Sequence, residues 1–298
     1  MNPVATIGLG TAPLGGLFAT VGDGDAQATV DHGWDLGVRL FDTAPLYGSG
    51  LSEQRLGRAL RDRPRGEFRL STKVGRLLRP GDPDPIFRGA PALAAVFDFS
   101  GEGMLRSLEE SLERLGLDRV DTAFVHDPEG HIREALTGLE ALRGLCRVGV
   151  GTNHVATALA FVRDADIDEV MIAGRYTLLD RSAEAELLPL CTERGVPVTA
   201  VGVFNSGILA GGTTFDYAPA SPALRARVER LGALCERHGI PLAAAALQFP
   251  LRHPAVRTIV VGARSPAEIE QNLASLALPI PEDFWLEEAL LQPARGGS

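Results

Sequence analysis

The chain has 298 residues, enough for one α/β barrel or two ordinary domains. Acidic residues outnumber basic ones, 38 to 29, and the formal charge of −9 argues against nucleic acid or an anionic membrane as partner. A composition 45% hydrophobic and 22% charged is that of a globular protein large enough to fold without disulfide or metal. No Lys or Arg precedes Arg39, and the longest apolar stretch, about residues 240–249, is too short for a bilayer. A cytoplasmic chain is expected. Cys146, Cys191 and Cys235 lack metal-ligand spacing, as do the six histidines, so the cysteines read as reduced thiols and no metal site is expected.

In chain order, eight β-branched runs read as strands: residues 7–11, 38–41, 69–72, 121–125, 148–152, 170–173, 198–202 and 259–261. Helical patterns lie between them. Leu105, Leu108, Leu112 and Leu115 form one apolar stripe closed by Gly116, and a second pattern runs over 222–238 before Gly239. No linker divides the chain. Eight strands alternating with helices predict a single (β/α)₈ TIM barrel over residues 1–298, with 292–298 as a disordered tail.

Two connections exceed simple turns. Residues 74–103, with four prolines and the aromatics Phe87, Phe97 and Phe99, read either as a substrate lid or as a solvated insertion. Residues 204–221, rich in Gly, Thr and Ala, follow the seventh strand, where barrels commonly hold phosphate.

Barrel chemistry sits where strands end. The second strand closes in Phe41-Asp42-Thr43-Ala44 with Tyr47 just beyond, the third in Ser71-Thr72-Lys73, and the fourth in Val125-His126. A Lys ending a buried strand needs a counter-charge, and Asp42 is the nearest candidate. A Tyr beside that ammonium would have its pKa lowered from about 10, making a general acid–base. Each residue also has a plain reading: Asp42 as a helix cap, Tyr47 as core, His126 as a satisfied rim histidine. Asp127 and Glu129, flanking His126, read more simply as surface carboxylates than as sugar ligands.

These segments, with Gly8-Leu9-Gly10-Thr11 and Tyr47-Gly48, resemble the aldo-keto reductase superfamily in order and spacing from about residue 7 to 272. The resemblance implies a nicotinamide cofactor bound across the rim without a GxGxxG loop, and the catalytic tetrad Asp42, Tyr47, Lys73 and His126. It assigns cofactor contacts to Thr11, Ala12, Asp42, Thr152, Asn153, Phe204, Asn205, Ser206, Gly207, Leu209, Gly262, Ala263, Arg264, Glu268, Gln271 and Asn272. Substrate contacts fall to Phe18, Tyr47, His126, Phe97 and Phe99. The stretches around Thr11-Ala12-Pro13-Leu14, Thr72-Lys73-Val74-Gly75-Arg76 and Gly174-Arg175-Tyr176-Thr177 are similar to the branch of D-threo-aldose 1-dehydrogenases (L-fucose dehydrogenases) and pyridoxal 4-dehydrogenase. Three positions depart from the family pattern. Thr152 replaces a Ser, Ala173 a Gln for which Arg175 is the nearest substitute, and Val201 a Tyr.

After the eighth strand, Gly262 and Glu268 stand where NADP-dependent relatives carry Lys and Arg. A carboxylate there repels a 2′-phosphate, which favours NAD over NADP. Ser265-Pro266-Ala267-Glu268 also reads as a capping box, and Arg264 is a possible 2′-phosphate partner. The implied activity is oxidation of an aldose at C1 to the lactone. Alternatives are pyridoxal oxidation, NADPH-dependent aldehyde or ketone reduction, and a non-catalytic nucleotide-binding barrel. The implied partner is a small molecule, sugar or aldehyde.

Overall fold

The computed structural model describes residues 3–291; the expected tail at 292–298 lies outside them. In chain order the strands are β1 (Ile7–Gly10), β2 (Leu40–Asp42), β3 (Arg69–Val74), β4 (Arg76–Pro80), β5 (Leu93–Phe97), β6 (Thr122–His126), β7 (Arg147–Thr152), β8 (Glu169–Ala173), β9 (Val198–Val201), β10 (Thr214–Phe215), β11 (Ala218–Pro219) and β12 (Val256–Gly262). Eight of them close a parallel barrel in the order β1-β12-β9-β8-β7-β6-β3-β2. All eight expected strands are in it.

Around the barrel lie α1 (Asp23–Asp35), α2 (Leu51–Leu60), α3 (Gly101–Leu115), α4 (Ile132–Gly138), α5 (Val155–Asp164), α6 (Leu187–Arg194), α7 (Pro222–Arg237), α8 (Leu242–Gln248), α9 (Pro266–Ala277) and α10 (Glu282–Leu290). Among the described residues no helix is long and apolar enough to cross a membrane. The leucine stripe forms α3: Ser100 Oγ accepts the Gly103 N–H at 3.0 Å, and Gly116 closes the helix at φ 63°. Helix α7 starts likewise, with Ser221 accepting the Leu224 N–H and Pro222 in its first turn.

Alternation along β3 does two jobs at once. Thr72 faces the helices, where its hydroxyl donates to the buried Glu53 carboxylate at 2.8 Å. Arg114 Nε donates to the same carboxylate at 2.6 Å, pinning α2 and α3 to the barrel. Lys73 faces inward. It fits because β7 carries glycines: a Cβ at Gly149 would stand 2.8 Å from the Phe124 ring, and one at Gly151 3.6 Å from Lys73 Cε. Phe124 and Lys73 therefore fill the space that those glycines leave.

The segment 74–103 is a folded hairpin and not an open loop. Gly75, at φ 92°, turns the chain out of β3, and β4 pairs antiparallel with β5 from Arg76↔Phe97 to Pro80↔Leu93. Its tip returns to the barrel mouth: Phe18 N–H donates to Ile86 O at 3.0 Å, and Arg88 N–H to Gly16 O at 2.8 Å. Gly16 is required there, since a Cβ would lie 2.2 Å from the Arg88 carbonyl oxygen. The segment 204–221 likewise holds a small hairpin, β10–β11.

Helix α2 approaches the end of α3 most closely at Gly57, where a Cβ would meet the Leu115 carbonyl oxygen at 1.9 Å. Gly57→Ala is expected to cost about 2 kcal/mol or more by overpacking. Gly66→Ala, with nothing within 4 Å of its Cβ, leaves the thermal unfolding midpoint unchanged. Thermal unfolding of both variants checks this.

Candidate active site

Strand register brings the expected residues to one rim. Asp42 pairs with Ser71 and with Gly10, and His126 with Gly151, so β1, β2, β3, β6 and β7 end side by side. Lys73, two residues beyond Ser71, reaches back to Asp42. Its ammonium donates to Asp42 Oδ1 at 2.5 Å and to Thr43 O at 3.0 Å, and Ser71 Oγ donates to the same carboxylate oxygen at 2.6 Å. Both charges are almost wholly buried, Lys73 at 2% exposure and Asp42 at 3%. Such a pair costs several kcal/mol per ion in desolvation, offset only by close pairing and further hydrogen bonds.

Tyr47 enters on the turn after β2. Its position depends on two glycines: a Cβ at Gly15 would be 2.7 Å from the Tyr47 carbonyl oxygen, and one at Gly48 2.2 Å from the Gly15 oxygen. The ring lies 5.6 Å from Lys73 Nζ and meets His126 edge-on at 6.1 Å. The expected lowering of its pKa is not found. Burial, and next the negative charge of Asp42, hold the phenol well above its ordinary value. Asp42 has already neutralised the ammonium that was expected to stabilise the phenolate.

His126 is buried, with Nδ1 unpartnered and Nε2 3.5 Å from Asp127 Oδ2. Burial, then the cations Arg76 and Lys73, push its pKa well below the ordinary range, so the ring is a neutral donor.

The rim opens into two adjoining compartments that share eight lining residues, among them Asn153, Ala173, Tyr217 and Gly262. The inner one, of about 460 Å³, is lined by all four of Asp42, Tyr47, Lys73 and His126, and by Ala12 and Thr152. The outer one, of about 710 Å³, is lined by Phe18, Asn153, Phe204, Asn205, Ser206, Gly207 and Leu209 on one side. Gly262, Arg264, Glu268, Gln271 and Asn272 line its other side.

Some expected contacts lie elsewhere. Thr11 is buried beneath the rim, donating to Asp42 O at 2.9 Å, and Ala263 is buried without bordering either compartment. Phe99 is fully buried at the hairpin base, stacked on Phe97 and tilted against His131. Phe97 is half exposed beneath the Arg76 guanidinium. Neither borders the cleft; Phe87 does, 6.0 Å from the Tyr47 ring. Arg175 does not substitute for the amide absent at Ala173. It donates to Asn153 O at 2.7 Å and pairs with Asp180 and Asp216 at 3.0 and 2.8 Å.

Beyond these, the inner compartment gains Arg76, Phe87 and Tyr217. Arg76, three residues after Lys73 and just past a turning glycine, carried a signal the sequence could have yielded. Tyr217 carried none, because its place depends on the β10–β11 hairpin.

The outer compartment suits an elongated polar cofactor. Asn205 Oδ1 is buried with no protein donor, while its Nδ2 donates to Gly174 O. Asn205, Ser206 and Gly207 hold three consecutive positive φ values, a strained turn of the kind found at ligand clamps. Among the described residues no cluster could hold a metal ion.

A closed parallel barrel carries Tyr47, the Lys73–Asp42 pair and a neutral His126 at its C-terminal rim, beside a second compartment, an arrangement that fits a barrel oxidoreductase. Residues 6–287 match the sequence profile of the aldo/keto reductase family, and the chain belongs to that family. It is 42% identical to a D-threo-aldose 1-dehydrogenase from a Pseudomonas species over 97% of this chain and 95% of that one. It is also 42% identical to a pyridoxal 4-dehydrogenase from Microbacterium luteolum, over 95% and 92%. Among solved structures, an aldo-keto reductase from Bacillus halodurans superposes with a TM-score of 0.75 at 24% identity, covering 97% of this chain and 92% of its own, a likeness of fold. Enzymes of this family use nicotinamide cofactors, so the protein is an NAD(P)-dependent oxidoreductase.

A neutral buried His126 has a definite signature. Because its folded pKa lies below the unfolded value of about 6.5, the unfolded chain takes up the proton first, and stability falls as pH drops below about 6.5. His126→Asn is expected to flatten that part of the curve, as read by denaturant unfolding between neutral and mildly acid pH.

Proposed function

We infer that the protein oxidises a free aldose at its anomeric carbon to the lactone, with NAD taken in preference to NADP. The observation that carries this reading is the 42% identity, across nearly the whole chain, with a D-threo-aldose 1-dehydrogenase. The rim geometry supports it, since the tetrad lines a compartment of sugar size. A second reading, pyridoxal oxidation, is favoured by the equal identity to a pyridoxal 4-dehydrogenase and by the aromatic wall of Tyr47 and Phe87. General NADPH-dependent aldehyde or ketone reduction is the third. A non-catalytic barrel accords poorly with a buried ion pair that a binding module has no need to desolvate.

Asn153 at the inner end and Asn205, Ser206 and Gly207 in the outer compartment would hold the cofactor, whose nicotinamide would supply the hydride acceptor. Tyr47 takes the proton of the anomeric hydroxyl through its phenol oxygen. Lys73 lies beside that ring at 5.6 Å, its ammonium fixed and its charge balanced by Asp42. The neutral His126 orients the substrate oxygen by hydrogen bonding. Oxidation needs Tyr47 deprotonated, and its raised pKa makes turnover climb with pH through the alkaline range.

At the far end, Glu268 Oε2 accepts the Arg264 N–H at 2.8 Å, and Oε1 accepts Arg264 Nε at 3.0 Å and its terminal nitrogen at 2.8 Å. Ser265 Oγ caps the Glu268 N–H, so the capping role and the charge role coexist. With its charge taken up by Glu268, Arg264 is a poor partner for a 2′-phosphate, and the carboxylate remains to receive a ribose diol. A cytoplasmic location, where NAD is held mostly oxidised, suits the oxidative direction.

The test is initial velocity with NAD and NADP across L-fucose, D-arabinose, L-galactose, D-glucose and pyridoxal. Turnover of the threo sugars with NAD is expected; turnover of pyridoxal alone would move the substrate to the second reading. Tyr47→Phe is expected to lose about 10²–10⁴-fold in turnover. Glu268→Gln, which frees Arg264, is expected to raise the NADP to NAD ratio of kcat/KM by about tenfold, equivalent to one charge-assisted contact of roughly 1.4 kcal/mol.

A further inference from the structure

The inner compartment contains a second ion pair that the acid–base chemistry leaves unused. Arg76, the first residue of β4, and Asp127, which follows His126, meet at 2.6 Å on its wall. The Arg76 side chain is nine-tenths buried and its Nε has no partner, while its guanidinium lies over the Phe97 ring at 4.9 Å. Asp127 is held at φ 45°, a conformation rare for any residue but glycine, asparagine or aspartate, and its N–H is tied to Gly151 O at 2.9 Å. A strained backbone and a desolvated cation next to His126 are costly features. Across the compartment stand Leu17, Leu46 and the Tyr47 and Phe87 rings. One wall is thus aromatic and the other a fixed donor–acceptor pair.

We propose that Arg76 and Asp127 are the specificity determinants for a hydroxyl on the carbon next to the one that reacts, with Arg76 donating to that oxygen and Asp127 accepting from it. This rests on the reading of the site as an aldose-oxidising one and names what makes it so. The lining charges bear on the substrate class as well. Lys73 is cancelled by Asp42 and Arg76 by Asp127, His126 is neutral, and Asp84 at the mouth adds one negative charge. The compartment offers no free cation to a phosphate or carboxylate, so it selects uncharged polyols and rejects their phosphate esters.

The experiment compares the reductive direction, with glyceraldehyde against propanal, and the oxidative direction, with L-fucose against a sugar phosphate. Wild type, Arg76→Met and Asp127→Asn are assayed in both. Wild type is expected to prefer glyceraldehyde, and each variant to shrink the glyceraldehyde-to-propanal ratio of kcat/KM by about tenfold or more, the loss of one charge-assisted hydrogen bond. Because the ratio is taken within one protein, a general loss of activity or folding cancels. Arg76→Lys, which keeps the charge, restores part of the ratio. A ratio unchanged in both variants overturns the proposal, even if L-fucose is oxidised. L-fucose refused by wild type, with a ratio that still depends on Arg76 and Asp127, overturns the aldose reading and leaves the hydroxyl contact standing. Sugar phosphate turned over as well as the free sugar overturns the charge argument.

Discussion

The buried ion pair of Lys73 and Asp42 is the constraint on which the rest of the site depends. A lysine pointing into a barrel must find an anion and further acceptors in place, and the register of β2 against β3 supplies them two residues apart. The same pair fixes the electrostatics around it. Burial keeps Tyr47 protonated and His126 neutral, and the pair adds to both: Asp42 raises the pKa of the phenol, and Lys73, after Arg76, lowers that of the imidazole. The rim is thereby set with a phenol held protonated at neutral pH and an imidazole that can only donate or accept a hydrogen bond.

Space for this arrangement comes from glycines and not from large residues. Gly149 and Gly151 make room for Phe124 and Lys73, and Gly15 and Gly48 let the loop after β1 lie against the Tyr47 turn. The β4–β5 hairpin then folds back so that residues 86–88 pair with 16–18, which carries Phe87 to the Tyr47 ring, while Arg76 at the hairpin base meets Asp127. The inner compartment is therefore built from two kinds of element: strand ends carry Asp42, Lys73 and His126, and the turn and hairpin beyond them carry Tyr47, Arg76 and Phe87.

That division also explains what the sequence reveals. Barrel strands read clearly because a buried parallel strand is a continuous β-branched run, and the polar residue that interrupts each run marks the rim. Asp42, Lys73 and His126 were legible for that reason, and Tyr47 through its place after Asp42. The hairpin over 76–97 was not: its strands are separated by a proline-rich stretch with no two-residue turn signal, so Phe97 and Phe99 read as lid aromatics when they anchor the hairpin outside the cleft. The raised pKa of Tyr47 is not legible in the sequence, which supplies the neighbouring cation but neither the burial of the ring nor the closeness of Asp42. Thr11 and Ala263 are near the cleft in sequence and beneath it in space.

If the Lys73–Asp42 pair is kept for chemistry, removing both charges together should spare the fold. The direct measurement is thermal unfolding of the Lys73→Met/Asp42→Asn double variant beside its turnover. Replacing a buried pair with uncharged residues of similar volume is commonly neutral or stabilising. A midpoint within a few degrees of wild type, or above it, is expected together with loss of oxidation. A variant that fails to fold, or one that folds and still turns over at the wild-type rate, would contradict it.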